Sequence, residues 1–214
     1  MHIADGVLTL EVTVVVSAVS LFAFYKAIKT IKEDEIPLTA VASAMFFIAS
    51  FIHIPFGVTQ IHLILLGVIG IFLGLSSFIA ILIALILQAL LLGYGGVASI
   101  GVNLFVMAAP ALIIYHINKT EIFLRINEKV RFFFIWFLGA FFDTLFLVLI
   151  LYFSKPQYEW AAYSIFGVNI ITMTIEGFVS MFLLMFIKKT CPKLLSVKKQ
   201  KDWFEKNIFI FTNS

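Results

Sequence analysis

Long apolar runs, separated by short polar or charged clusters, make up most of this chain. Each run approaches the roughly 20 residues that a helix needs to cross a bilayer. The segments predicted in this way are about 7–25, 36–53, 62–75, 76–92, 100–117, 131–153 and 165–187. The third and fourth come from a single run that we divide at residues 74–77. The pattern therefore predicts an all-α integral membrane protein, a bundle of about seven transmembrane helices.

The composition agrees with a membrane protein. Of the 214 residues, 62% are hydrophobic and 13% are charged, whereas an ordinary soluble domain is about 25% charged. This excludes a soluble globular domain. Because Cys191 is the single cysteine, no intramolecular disulfide can form. No internal repeat or linker divides the chain, so we expect one transmembrane domain over residues 1–189 and a basic cytoplasmic tail over 190–214.

The distribution of Lys and Arg predicts the orientation of the bundle, because positive charge concentrates on the cytoplasmic side. With seven spans and an outer N-terminus, fourteen of the fifteen Lys and Arg residues fall inside, and only Lys155 falls outside. Joining the third and fourth segments would move the basic cluster at 119–131 to the outer side. We therefore expect the N-terminus outside and the C-terminus in the cytoplasm.

Four polar elements would then meet on the outer side, at residues 1–6, 53–62, 93–101 and 155–164. The α-amine of Met1, the backbone nitrogen of His2 and the His2 Nδ1 can close fused chelate rings on one metal ion. A further imidazole would complete a square plane, a geometry that Ni(II) and Cu(II) accept. By this argument alone, His53 and His62 are both candidates for the fourth ligand. The alternative is that these histidines are solvated or interfacial.

Two carboxylates, Asp143 and Glu176, fall inside predicted spans. Ionisable residues within a membrane are costly, and they suggest either function or a buried partner. The structural alternative is that they accept hydrogen bonds from polar groups such as Gln88, Asn103 or Thr172. Small residues spaced four apart, Ala40/Ala44 and Gly70/Gly74, favour close helix contacts. Those contacts would be either with partner subunits or within the bundle.

Five short motifs carry a resemblance to a known family. They are Met-His-Ile-Ala-Asp-Gly at 1–6, Pro-Phe-Gly-Val-Thr-Gln-Ile-His-Leu at 55–63, Gln-Ala-Leu-Leu at 88–91, Gly-Gly at 95–96 followed by Gly-Val-Asn at 101–103, and Glu-Gly-Phe-Val-Ser at 176–180. In this order they resemble the CbiM/NikM substrate-capture (S) subunits of energy-coupling-factor (ECF) cobalt and nickel transporters. The chain departs from the family at Val58, Gln60 and Ile61, at Tyr94, and at Asn169.

The resemblance implies a metal site built from Met1, His2 and His62. Asn103 would support the N-terminal segment, and we expect His53 and Thr59 near the ligands. The cargo would be Ni(II) or Co(II), captured from outside at the prokaryotic cell membrane, with no other cofactor.

The same resemblance implies partners: a transmembrane coupling subunit, cytoplasmic ATPases and a small accessory membrane subunit, with no nucleic acid. No Gly-Lys pair exists in the chain, so it has no phosphate-binding loop of the ATPase type and is not expected to be an enzyme. Two alternatives stay open, an ECF-type subunit for an organic vitamin and a membrane-embedded enzyme that uses Asp143 and Glu176.

Overall fold

A computed structural model describes residues 3–51, 53–56, 59–62 and 66–190, and gives the backbone alone for 53–56 and 59–62. The helices are α1 Leu10–Thr30, α2 Ile36–Ala49, α3 Leu66–Leu73, α4 Ser77–Leu92, α5 Ile100–Asn118, α6 Glu121–Arg125, α7 Glu128–Ser154 and α8 Glu159–Thr190. The strands are β1 His53–Phe56 and β2 Thr59–His62, and short 3₁₀ turns cover Glu33–Glu35, Gly74–Ser76 and Pro156–Tyr158. The predicted tail lies outside the described residues from 191 onward.

The apolar run at 66–92 is interrupted at Gly74. A Cβ on Gly70 would lie 2.5 Å from the carbonyl oxygen of Ala111, and one on Gly74 would lie 2.9 Å from the Tyr115 ring. Helix α3 therefore runs in the same direction as α5. Gly74 has a φ of +54°, which glycine adopts readily, and the chain turns back there. Helix α4 then packs against α5 in the opposite direction, and residues 93–99 connect the two.

Helices α7 and α8 form a long antiparallel pair. The rings of Phe133 and Phe178 lie 5.1 Å apart and those of Phe141 and Phe166 lie 5.9 Å apart. Helix α8 begins at Glu159, so much of the loop expected at 155–164 is helical. The reason is local, since the Tyr158 N–H donates to the Lys155 carbonyl at 3.0 Å and the chain reverses within one 3₁₀ turn.

Five ranges of the described chain are long and apolar enough to cross a membrane. They are Leu10–Thr30, Leu66–Leu92, Ile100–Asn118, Glu128–Ser154 and Tyr163–Thr190. The second of these contains the break at Gly74, and α2, at 14 residues, is shorter than a full span. The chain is thus a multi-pass helical membrane protein.

Burial differs greatly between the helices. Helix α5 lies at the centre and is buried along its length, whereas α1 buries only Ser20 and Ala27 among its residues. Gly70 and Gly74 pack within the bundle, as the distances to α5 show. Ala40 and Ala44, by contrast, are both exposed on α2.

The segment expected as a loop at 53–62 contains a small β-hairpin, so the described part of the chain is not wholly helical. Strands β1 and β2 are antiparallel, and their register pairs His53 with His62 and Phe56 with Thr59. Two strands of four residues on either side of a two-residue connection are typical of a hairpin. The hairpin connects α2 to α3.

Candidate metal site at the N-terminus

The predicted ligands lie at one end of the bundle or outside the described residues. Met1 and His2 belong to the residues that the structure does not describe. The backbones of His62 and His53 face each other as Cα partners at the open end of the hairpin, and Thr59 lies near its connection. Asn103 is in the second turn of α5, where it is 2% exposed.

A reciprocal pair of hydrogen bonds joins Asn103 to Ile3, the residue after His2. The Ile3 N–H donates to Asn103 Oδ1 at 2.8 Å, and Asn103 Nδ2 donates to the Ile3 carbonyl at 3.0 Å. A primary amide can satisfy both backbone groups because it carries a donor and an acceptor side by side. Ile3 is 4% exposed. The chain is therefore fixed inside the bundle directly after the proposed chelating residues.

A second attachment lies two residues further along, at Asp5. Its carboxylate accepts hydrogen bonds from the Ser99 N–H at 2.9 Å, the Ser99 hydroxyl at 2.8 Å and the Ala98 N–H at 3.4 Å. The Ser99 hydroxyl bond is the main cause that lowers the pKa of Asp5 from its ordinary value. Asp5 therefore stays ionised at neutral pH and ties the N-terminal segment to the loop before α5.

Two further contacts hold residues 6–9 against the end of α7. The Thr9 N–H donates to the Ser154 hydroxyl at 2.8 Å, and Lys155 Nζ donates to the Gly6 carbonyl at 3.3 Å. The burial of apolar side chains also holds this segment against the bundle. Ile3 and Leu8 share one cluster with Val102, Val106, Leu147, Ile150 and Leu151.

We call residues 3–9 the N-terminal strap. Its attachments reach α5, the loop before it and the end of α7, and they join positions that are between 93 and 149 residues apart. Sequence reasoning missed the roles of Ser99, Ser154 and Lys155. Nothing in their local sequence marks them, because the contacts form only when the helices pack.

For Asp143, the described residues show no hydrogen bond from Gln88 or Asn103, the partners that the structural alternative suggested. The Asn103 amide is taken up by Ile3, and neither side-chain atom of Gln88 has a hydrogen-bond partner in the described part of the chain. Asp143 Oδ1 is likewise buried without such a partner among these residues. Glu176 is buried on α8. The described residues contain no group of three or more His, Cys, Asp or Glu that could hold a metal ion.

Comparison with known proteins places this arrangement in a family. The family model described as "Cobalt uptake substrate-specific transmembrane region", CbiM, matches residues 2–194. The chain belongs to this family. The match includes the strap, the hairpin and all eight helices.

Curated relatives of this CbiM-family chain are similar to it over about half to two thirds of its length. A "Putative metal transport protein" of Haemophilus influenzae is 38% identical over 57% of this chain and 59% of its own. A "Putative cobalt transport protein CbiM 2" of Methanosarcina barkeri is 35% identical over 65% and 62%. A "Fused nickel transport protein NikMN" of Rhodobacter capsulatus is 31% identical over 50% and 33%. The alignments thus span about three fifths of the first two relatives.

Solved structures share the fold. The crystal structure of a transition metal transporter superposes with a TM-score of 0.74 and 23% identity, covering 89% of this chain and 93% of the other. A truncated transition metal transporter gives the same TM-score at 22% identity, covering 89% and 99%. At this identity the likeness concerns the architecture of the CbiM-family bundle.

Proposed function

We propose that this chain is the substrate-capture subunit of an ECF-type transporter and binds Ni(II) or Co(II) at the outer face of the membrane. The ion would be held by the Met1 α-amine, the His2 backbone nitrogen and imidazole, and the His62 imidazole. Four nitrogen donors in a plane suit Ni(II), and the Irving–Williams order makes Cu(II) bind still more tightly in vitro. The family and its relatives named for cobalt and nickel support this assignment.

The observation that carries the proposal is the hydrogen-bonded pair between Ile3 and Asn103. Within the described residues, a polar side chain that is 2% exposed makes both of its hydrogen bonds with the backbone of residue 3. Burying an amide in a membrane protein is costly unless both of its ends are satisfied. Such an arrangement is expected where the two residues before Ile3 must be held in one place.

We further propose seven spans with the N-terminus outside. Helices α1, α3 and α5 run one way along the bundle, and α4 and α7 run the other way. In the described part of the chain, nine of the ten Lys and Arg residues lie at the end where α5 finishes and α7 begins. The exception is Lys155, beside the strap. By the positive-inside rule the strap end is external.

Partner subunits belong to the same proposal. The chain has no phosphate-binding loop, so cytoplasmic ATPases and a transmembrane coupling subunit would drive inward release. A small accessory membrane subunit would complete the assembly. The exposed faces of α1 and α2, including Ala40 and Ala44, leave surface for such contacts or for lipid.

Equilibrium Ni(II) and Co(II) binding to the purified chain tests the function. The comparison is between a native N-terminus and the same chain extended by Gly-Ser before Met1, with Gly-Ser after Ser214 as the matched control. We expect the N-terminal extension alone to abolish tight binding, because an amide replaces the amine donor. Equal binding by all three forms would reject the chelate and favour a subunit for an organic vitamin.

A further inference from the structure

A groove runs between the first turns of α1 and the last turns of α7, at the end of the bundle that carries the strap. Its volume is about 410 Å³. Three valines of α1 and side chains of α7 between Phe146 and Phe153 form its walls, and among the described residues that line it only Glu11 is polar. We call it the α1–α7 groove. Both helices are long and apolar enough to cross a membrane, so the groove lies within the hydrocarbon region.

The lining residues place the groove in one half of the bilayer. On α7 it extends from Phe153 to Phe146, and seven helical residues correspond to about 10 Å, a third of the hydrocarbon thickness. In its deeper part the half-buried rings of Phe105 and Phe146 lie 5.3 Å apart. Val15 and Phe153, nearer the strap, are 63% and 72% exposed. The groove is therefore open toward the lipid, and α5 contributes to its base.

The cross-section of the groove limits what can occupy it. A volume of about 410 Å³ over about 10 Å of length gives a mean cross-section of about 40 Å². A helix with its side chains is about 10–12 Å across, which corresponds to at least ~80 Å². A helix of a partner subunit is therefore too wide to enter the groove. A hydrocarbon chain carries no side chains, is narrow and flexible, and matches the apolar walls.

The charges at the strap end of the groove favour one kind of lipid headgroup. Glu11 is exposed in the first turn of α1, and its carboxylate has no hydrogen-bond or ion-pair partner within the described ranges. Lys155 directly follows Ser154, whose hydroxyl is bonded to Thr9, so an ammonium lies at the same end. The Glu11 carboxylate repels an anionic headgroup. A primary ammonium pairs with it and also donates hydrogen bonds, which a quaternary ammonium cannot do.

We propose that the α1–α7 groove binds one acyl chain of a phosphatidylethanolamine from the leaflet at the strap end, with the headgroup ammonium paired to Glu11. The lipid phosphate would then lie toward Lys155. Because α1 buries only Ser20 and Ala27 among its residues, the acyl chain adds packing to its first turns. The strap continues directly into α1, so the bound lipid also stabilises the strap. This inference does not rest on the proposed function.

Photoaffinity labelling of the purified full-length chain in phosphatidylcholine nanodiscs tests the inference. The discs contain a small fraction of phosphatidylethanolamine with a diazirine in the middle of one acyl chain, and mass spectrometry locates the crosslinks. Labelling of the groove is divided by labelling of Leu90 and Leu91 on α4, which are 71% and 67% exposed at the same end of the bundle and report bulk lipid. We expect a ratio above one. It should be about two- to fivefold higher than with choline or glycerol probes of the same chains, because exposed ion pairs are a weak class.

Two substitutions that fill the groove test its occupancy. Val15→Phe acts from α1 and Leu149→Phe from α7, and both positions are exposed, so neither change disturbs the buried core. Each should reduce groove labelling to the level of bulk lipid at an unchanged melting temperature. Val14→Phe is the matched control, since Val14 is 57% exposed on the same helix and does not line the groove. It should label as the native chain does.

The headgroup contact is tested by Glu11→Gln. This variant should keep the labelling of the groove and lose the preference for the ethanolamine probe. Asp34→Asn removes an exposed carboxylate at the opposite end of the bundle and should retain the preference. A preference that persists in Glu11→Gln would overturn the assigned headgroup contact.

Three further outcomes would overturn the inference. They are groove labelling no higher than that of Leu90 and Leu91 in the native chain, equal labelling by the three probes, and native labelling in both groove-filling variants. The same probe is also incorporated into membranes from cells that produce the chain. Labelling that occurs in nanodiscs but is absent from these membranes would assign the groove to a partner subunit and reject the lipid. No metal is added, so the result is independent of Ni(II) or Co(II) capture.

Discussion

The carboxyl group of Asp5 occupies the space that a side chain at Gly96 would fill. A Cβ on Gly96 would lie 2.0 Å from both the Asp5 carboxyl carbon and its Oδ1. The loop before α5 therefore accepts the strap only because residue 96 has no side chain. This contact makes a glycine, rather than a charged residue, one of the positions on which the strap depends.

Gly96→Ala should displace Asp5 and loosen the strap. We expect Ni(II) affinity to fall about tenfold, or ~1.4 kcal/mol, with a small change in melting temperature, because the contact lies at the surface of the bundle. Gly167→Ala is the matched control, since its Cβ would meet nothing within 4 Å and helix propensity favours alanine. Equal affinity for Gly96→Ala and the native chain would contradict the strap's role.

The attachment of Asp5 should depend on pH only in acid. Donation from the Ser99 hydroxyl lowers the pKa of Asp5 below its ordinary value of 3.8. Because the folded-state pKa is the lower one, the stabilising contact is fully present above 3.8 and is lost as the pH falls through the lowered value. Hydrogen exchange of the N-terminal peptide, corrected for intrinsic rates, should show a step there. Asp5→Asn should remove the step, and a step that persists would assign it to another group.

Asn103→Leu should be among the more damaging single changes in the bundle. It leaves the Ile3 N–H and carbonyl buried without partners, at a cost of about 1–3 kcal/mol for each group. We expect a lower melting temperature and loss of tight Ni(II) binding. Met107→Leu, one turn along the same helix and also buried, conserves volume and should cost less than about 1.5 kcal/mol. Similar effects of the two substitutions would mean that the hydrogen bonds contribute little.

The orientation can be tested with single cysteines in a Cys191→Ser background. Val97 precedes α5 at the strap end and is 71% exposed, and Ile122 on α6 at the opposite end is 79% exposed. A membrane-impermeant maleimide added to intact cells should label Val97→Cys and not Ile122→Cys. After the membrane is permeabilised, both should react. The reverse pattern would put the N-terminus in the cytoplasm.

The helices were largely predictable, because the backbone N–H and C=O groups of an apolar run in a membrane must hydrogen-bond within that run, and a helix does this. The prediction for α5 differs from the structure by one residue at its end, and the division at 74–77 coincides with the left-handed glycine at 74. The start of α8 was placed six residues late, because a loop was expected at 155–164 where a 3₁₀ turn leads directly into the helix.

Less of the candidate site could be predicted. The chelating pattern of Met1 and His2 is visible in the sequence, but these residues lie outside the described ranges and stay a prediction, as does the ligand role of His62. The hairpin was missed although its two-residue connection is a known signal. The partners of Thr9 and Gly6 could not be found, since they lie 145 and 149 residues away along the chain.

The hydrogen bonds between Ile3 and Asn103 also make the proposed site sensitive to the number of residues before Ile3. With residue 3 fixed to α5, the reach of the chain beyond it is set by the number of residues that precede it and not by their packing. One residue inserted between His2 and Ile3 would shift the terminal amine by about 3.4 Å, more than a hydrogen bond or a metal–ligand bond tolerates. The number of residues before Ile3 would then matter as much as their side chains. An insertion that preserves every donor could still abolish the site.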